Sequence, residues 1–203
     1  MQTGFLRKML TKADSPIRYY LTFEHDASLC LNELLGKEIA LQFASEINCV
    51  YCKRKITKSF NQGYCYPCFK KLARCDSCII KPELCHFAAG TCREPQWGLD
   101  HCMQAHIVYL SQTSNVKVGV TRKVNLPTHW HDQGASTALP IISTQSRLHA
   151  GMIEVMLSKH MADKTNWRKM LTQQAQAINL HEYAGKIIQA TDLRKYISME
   201  PQW

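Results

Sequence analysis

No stretch of the 203-residue sequence approaches the roughly 20 consecutive apolar residues that a membrane-spanning helix needs, so no membrane partner is expected. The N-terminal "MQTGFLRKMLTKADSPIRYY" has no apolar core of signal-peptide length before charges interrupt it, and a cytoplasmic location is the expectation. Acidic residues are scarce: 16 Asp and Glu stand against 25 Lys and Arg, for a formal net charge of +9 and a pI near 9.1. That imbalance favours nucleic acid, anionic lipid or an acidic protein as a partner. Composition is otherwise ordinary, at 45% hydrophobic and 20% charged, which argues against disorder.

Cysteine is abundant but local, with nine of ten between Cys49 and Cys102. In a reducing compartment, thiols paired two residues apart read as metal ligands rather than disulfide partners. Cys49, Cys52, Cys65 and Cys68 form C-x2-C-x12-C-x2-C, two knuckles joined by a hairpin-length loop, a pattern that suits a closed, structural Zn²⁺ site. A second site is expected from Cys75, Cys78, Cys85 and Cys92, with Cys102 as the leading substitute and His86, His101 and His106 as further candidates. An iron–sulfur cluster is the alternative there, since cysteine-only ligation also serves iron. Cys30, alone in the apolar "LCLNELL", reads as a core thiol.

From Lys53 to Lys81 the chain carries eight basic side chains and a single acid, Asp76, interleaved with Phe60, Tyr64, Tyr66 and Phe69. Basic groups neutralise phosphates and rings stack on unpaired bases, so Lys53, Arg54, Lys55, Lys58, Lys70, Lys71 and Arg74 are the candidate contacts to RNA or single-stranded DNA. The competing reading makes the rings a small core over the metal and the lysines a solvated face.

Around the cysteines, "IRYYLTF" and "KEIALQF" read as strands, and "IVYLSQTSNVKVGVT" as a hairpin about the turn "QTSN". After Pro140 the spacing of Met152, Val155 and Met156 is helical, and Asp163 is a plausible N-cap for "DKTNWRKMLTQQAQAI". The "HWH" of His129 to His131 has a spacing that reaches a metal from a strand, and Asp163, Lys164, Arg168 and Lys169 read as a solvated helix face.

The segment Ile107 to Arg122 resembles the paired strands of the GIY-YIG nuclease superfamily, with "IVY" at the first motif and "KVG" at the second. The order of cysteine-rich segment, hairpin, "DQGA" and "DKTNWR" also resembles an uncharacterised bacterial family of unknown function. The nuclease resemblance implies that Tyr109 helps deprotonate an attacking water, that Glu154 holds Mg²⁺, and that Gly119 permits close packing beside the site. Lys117 stands at the second motif tyrosine, Ile107 at the first glycine, and His129 at the expected arginine, leaving Arg122 as the nearby guanidinium.

The resulting expectation is an α+β protein. It comprises a β-rich subdomain over 1–48, a metal-stapled cysteine-rich ribbon over 49–105, an α/β GIY-YIG-like module over 106–175 and a helical extension over 176–203. Its expected function is that of a zinc-binding, nucleic-acid-binding protein whose GIY-YIG-like module is degenerate. An active Mg²⁺-dependent phosphodiesterase and a zinc-rigidified protein-interaction adaptor are the alternatives.

Overall fold

The computed structural model describes residues 3–161 and 178–191 together with positions 168, 172 and 193. Asp163, Lys164 and Lys169 therefore lie outside the described residues. The chain forms two compact units, Met1–Asp76 and Ser77–Trp203, so the boundary falls inside the cysteine-rich segment.

In the first unit, β1 (Leu10–Lys12), β2 (Arg18–Thr22) and β3 (Ser28–Cys30) form an antiparallel sheet in that order. Asn32 holds its turn by accepting from the Tyr19 amide at 2.8 Å and donating to the Ile17 carbonyl at 2.9 Å. "LCLNELL" resolves into the end of β3 and a 3-10 turn, Leu31–Leu34, with Cys30 half-buried rather than in a core. "KEIALQF" forms no strand; Ile39, Leu41 and Phe43 are exposed, because no strand among the described residues pairs with them to give their alternating pattern a buried face. The two-residue strands β4 (Ile47–Asn48) and β5 (Lys55–Ile56) then pair antiparallel, and α1 (Tyr66–Lys71) follows with Pro67 in its first turn, where a missing amide hydrogen costs nothing.

The second unit opens with short 3-10 turns and α2 (Pro95–His101), then builds its core around β6 (His106–Gln112). This strand is buried along its whole length because it lies between β7 (Val116–Arg122) and β8 (Thr137–Thr144), both antiparallel to it. The hairpin expected about "QTSN" forms, with Tyr109 opposite Gly119 and Ser111 opposite Lys117. Pro140 lies inside β8 rather than ahead of a helix. It pairs with Tyr109 where the register shifts, and β8 is an edge strand that tolerates a residue without an amide hydrogen.

A short helix, α3 (Thr128–Asp132), carries His129 and His131, so "HWH" is helical and its two imidazoles do not share a strand face. The helices α4 (Arg147–Ser158) and α5 (Leu180–Ala190) supply Ala150, Ile153, Leu157, Ala184 and Ile187 to a core with Val108, Leu110, Val118 and Ile142. Along β6 the period of two sends Val108 and Leu110 into that core, and therefore Tyr109 and Ser111 to the other face. Among the described residues no helix is long and apolar enough to cross a membrane.

Candidate functional site

Each unit holds a grouping of chemically active side chains. In the first, the ligand atoms of Cys49, Cys52, Cys65 and Cys68 all lie within 4.8 Å of one another, with Cys52 Sγ and Cys65 Sγ 3.7 Å apart. The knuckles are shaped by the backbone: the Lys53 amide donates to the Cys49 carbonyl at 2.9 Å, and the Cys65 amide donates to Cys49 Sγ at 3.2 Å. Lys53 closes the first knuckle with φ 62°, a left-handed conformation that a lysine adopts only at a cost of about 1 kcal/mol or more.

The four thiols influence one another strongly. Burial opposes ionisation of Cys49, but the amides of Cys52, Cys65 and Tyr51 overcome it and hold its pKa below the usual thiol range. Burial and the neighbouring Cys65, Cys52 and Cys49 push Cys68 the other way. Sulfurs this close cannot all be thiolates by themselves; a dication resolves the conflict, and four thiolates in a closed set suit tetrahedral zinc. The group can therefore hold a metal ion.

The second expected cysteine set is dispersed differently. Cys75 closes the first unit, whereas Cys78, Cys85 and Cys92 belong to the second. Among the described residues the Cys49–Cys68 quartet is the one all-cysteine group within 4.8 Å. Cys102 is buried, which raises its thiol pKa, and it also feels Arg147 and the negative charge of Cys85 and Cys92. Cys102 therefore keeps company with Cys85 and Cys92. His106 is fully buried; desolvation, aided by Arg147 and Arg122, brings its pKa down to about 4 against the pull of the Gln104 carbonyl.

The basic candidates of the ribbon are exposed, yet they are not equivalent. Lys53 is tied to Glu24 at 2.7 Å, and Arg7 holds the same carboxylate at 2.6 Å. These two cations hold the Glu24 pKa at about 2, Lys53 being the larger influence. Lys53 thus shares one carboxylate with Arg7, a pairing across 29 positions that no local pattern could reveal.

In the second unit, Tyr109 is fully buried and its hydroxyl donates to Gln133 Oε1 at 3.1 Å. The Gln133 amide nitrogen lies 3.0 Å from His129 Nε2. Since Oε1 already accepts from the tyrosine, the amide must donate to the imidazole, which leaves His129 Nε2 an acceptor and its proton on Nδ1. Trp130 covers the phenol edge-on, with ring centroids 5.9 Å apart. Gly119 makes room for the ring: a Cβ there would sit 2.6 Å from Tyr109 Oη. Burial raises the Tyr109 pKa, the Gln133 contact opposes that rise, and the charge of Glu154 adds to it.

Glu154 projects from α4, and desolvation with the nearby Glu83 raises its pKa to about 7 despite Arg147. Lys117 is half-buried, which lowers its pKa, and Arg122 reaches Asn125 Oδ1 at 3.5 Å. The structure thus brings the Tyr109 and His129 rings together, with centroids 6.1 Å apart, while Glu154 bears on Tyr109 only through its charge. Gln133, Glu83 and Arg147 were missed from sequence; Gln133 alone had a signal, as part of "DQGA". Because Glu154 is harder to ionise folded than unfolded, its contribution to stability is complete below about pH 4.5 and is lost as pH rises through 7. We therefore expect Glu154→Gln to match wild type at pH 4.5 and to exceed it at pH 8 by on the order of 2 kcal/mol, read by urea denaturation at both pH values. Equal stability at pH 8 would contradict the burial argument.

A family model for proteins of unknown function, DUF2797, matches residues 36–201. The chain belongs to the DUF2797 family. No curated protein and no solved structure matches it. Both groupings, the cysteine quartet and the Tyr109 neighbourhood, lie inside the DUF2797 span.

Proposed function

We propose that this DUF2797 protein is a zinc-stapled nucleic-acid-binding protein whose second unit is a GIY-YIG-like module that grips a phosphodiester chain without cleaving it at neutral pH. The observation that carries the reading is Tyr109. It stands at the first motif of the nuclease resemblance, but it is fully buried, its hydroxyl is committed to Gln133, and its ionisation is disfavoured. Such a phenol is a poor aid to deprotonating water. His129, at the place of the expected arginine, accepts a hydrogen bond through Nε2 and so offers no guanidinium-like fork to a phosphate. The strand order β7-β6-β8 followed by a helix bearing Glu154 supports the module assignment, and the excess of basic residues supports the partner.

The test is to incubate the zinc-loaded protein with end-labelled RNA, single-stranded DNA and duplex DNA in Mg²⁺ or Mn²⁺, with chelated controls. The expected result is retention of nucleic acid with no metal-dependent cleavage, and unchanged retention by Glu154→Ala. Cleavage that needs the cation and disappears in Glu154→Ala would overturn the clamp in favour of the phosphodiesterase, the second reading. That reading is favoured by the charge that Glu154 exerts on Tyr109, one carboxylate with water being a sufficient protein contribution to a Mg²⁺ site.

We further propose, on sequence clustering, that the remaining cysteines, Cys75, Cys78, Cys85 and Cys92 with Cys102 as the substitute, hold a second metal. Two equivalents of zinc in the purified protein are the expected analysis. Iron with visible absorbance would replace zinc by a cluster at this site.

A further inference from the structure

The first unit carries two exposed aromatic rings placed immediately beside metal ligands. Tyr51 lies within the first knuckle, next to Cys52, and is 53% exposed; Tyr66 follows Cys65 at the start of the second knuckle and is 55% exposed. A cation accompanies each station. The Arg74 guanidinium lies 5.9 Å from the centre of the Tyr51 ring. Tyr66 packs at 5.3 Å against Phe60, whose own ring is covered by the Lys58 ammonium at 5.4 Å.

The competing reading, in which these rings only roof the metal, accounts for part of the set. Phe60 and Phe69 are half-buried and stack on each other at 5.7 Å, as a small core would. It does not account for Tyr51 and Tyr66, each of which leaves about half its surface in water. Nor does it account for the cations at Lys58 and Arg74, for which no carboxylate partner is found among the described residues. The ion pairs found in this unit among the described residues engage Arg7, Arg18 and Lys53, and involve neither Lys58 nor Arg74.

The metal ligands fix how far apart the rings are. Tyr51 and Tyr66 are each one residue, about 3.8 Å of chain, from a cysteine, and the sulfurs of those cysteines lie 3.7 Å apart. The two ring stations are therefore separated by no more than a few nucleotides of extended strand. A backbone-tracking positive charge at each of two closely spaced ring faces is what a single strand needs: phosphates meet the cations, and unpaired bases meet the rings. A duplex keeps its bases stacked on each other and offers the rings nothing.

We propose that Tyr51 and Tyr66, with Arg74 and Lys58, form a stacking platform for single-stranded nucleic acid on the metal-stapled knuckles. It deepens the nucleic-acid reading above and rests on it. The platform discriminates single strands from duplexes by the rings, and the cations supply affinity without sequence preference.

The probes are fluorescein-labelled oligo(dT), oligo(U) and a duplex of equal length, followed by anisotropy with the full-length, zinc-loaded protein. Wild type is expected to bind the single strands more tightly than the duplex. Tyr51→Leu and Tyr66→Leu keep apolar bulk but lose the ring face, and each should weaken single-strand binding by about tenfold while leaving duplex binding unchanged. Tyr51→Phe and Tyr66→Phe should retain the affinity. Lys58→Gln with Arg74→Gln should make the salt dependence shallower on every probe. Metal content and far-ultraviolet dichroism confirm that each variant is folded.

Comparison of oligo(dT) with oligo(U) separates a DNA strand from an RNA strand, since only the latter offers a 2′-hydroxyl. If wild type binds single strands but the leucine variants bind equally well, the platform is wrong and the broader nucleic-acid reading stands. If wild type binds none of the three probes, both fall together and the surface faces a protein.

Discussion

Replacing Cys49 and Cys52 by serine is expected to strip the metal from the first unit and unfold its knuckles. The reason is how little else holds them. The strands β4 and β5 are two residues each, and between Cys49 and Asp76 the buried apolar side chains are Cys49, Cys65, Leu72, Ala73 and Cys75. A segment this short of buried surface does not reach independent stability without a staple. A structural zinc site contributes about 10–16 kcal/mol at neutral pH, as much as a whole domain's usual margin. The double variant should lose one equivalent of metal by elemental analysis and lose amide-exchange protection over residues 47–76. Strands β6, β7 and β8 should stay protected, because their core of Val108, Leu110, Ile142 and Leu157 contains none of these ligands. A wild-type protein that is metal-free and yet protected over 47–76 would contradict the assignment.

Gly151→Ala should destabilise the second unit, although alanine is the better helix former by about 1 kcal/mol. Gly151 is buried in α4, and a Cβ there would lie 2.5 Å from the Glu83 amide nitrogen and 2.6 Å from the Pro82 carbonyl carbon. Backbone cannot swing aside as a long side chain can. Either α4 shifts or the turn Pro82–Leu84 detaches, and overpacking of this kind costs about 1–3 kcal/mol before the propensity gain is subtracted. Detachment would carry Glu83 away from Glu154 and bring its raised pKa down, so the variant should also show a weaker pH dependence of stability than wild type. Gly185→Ala is the internal control. It lies in α5 with nothing within 4 Å of the added methyl group, and there alanine should stabilise by up to about 1 kcal/mol. Denaturation midpoints moving in opposite directions for the two substitutions would bear the argument out, and a stabilised Gly151→Ala would refute it.

Local pattern carried much of this protein. The C-x2-C spacing placed four thiols together because each knuckle is a short-range structure and the loop between them is short enough to close. The hairpin from His106 to Arg122 was legible for the same reason, its two runs and its turn being contiguous. Failures came where a residue's partner is distant in sequence. "KEIALQF" has the composition of a strand but finds no strand to pair with, and Pro140 looks like a strand terminator until its place on an edge beside Tyr109 is known.

The site divides along the same line. Motif order singled out Tyr109, His129 and Glu154 as candidates, but said nothing of their chemical state. Gln133, 24 residues from Tyr109, decides which nitrogen of His129 holds the proton, and Glu83, on a turn ahead of the sheet, helps to set the charge of Glu154. Lys53, a candidate phosphate contact from sequence, also pairs with Glu24, a partner 29 positions away. Sequence revealed which groups were present, and the packing of distant segments determined which remained available.

The most direct measurement of the nucleic-acid reading is a salt titration of binding, by anisotropy of a labelled single-stranded oligonucleotide with the zinc-loaded full-length protein. Tight binding at low salt is expected, with log affinity falling linearly against log salt at a slope of about −3 or steeper, as several phosphates give up their counterions. No binding at low salt, or an affinity indifferent to salt, would contradict it.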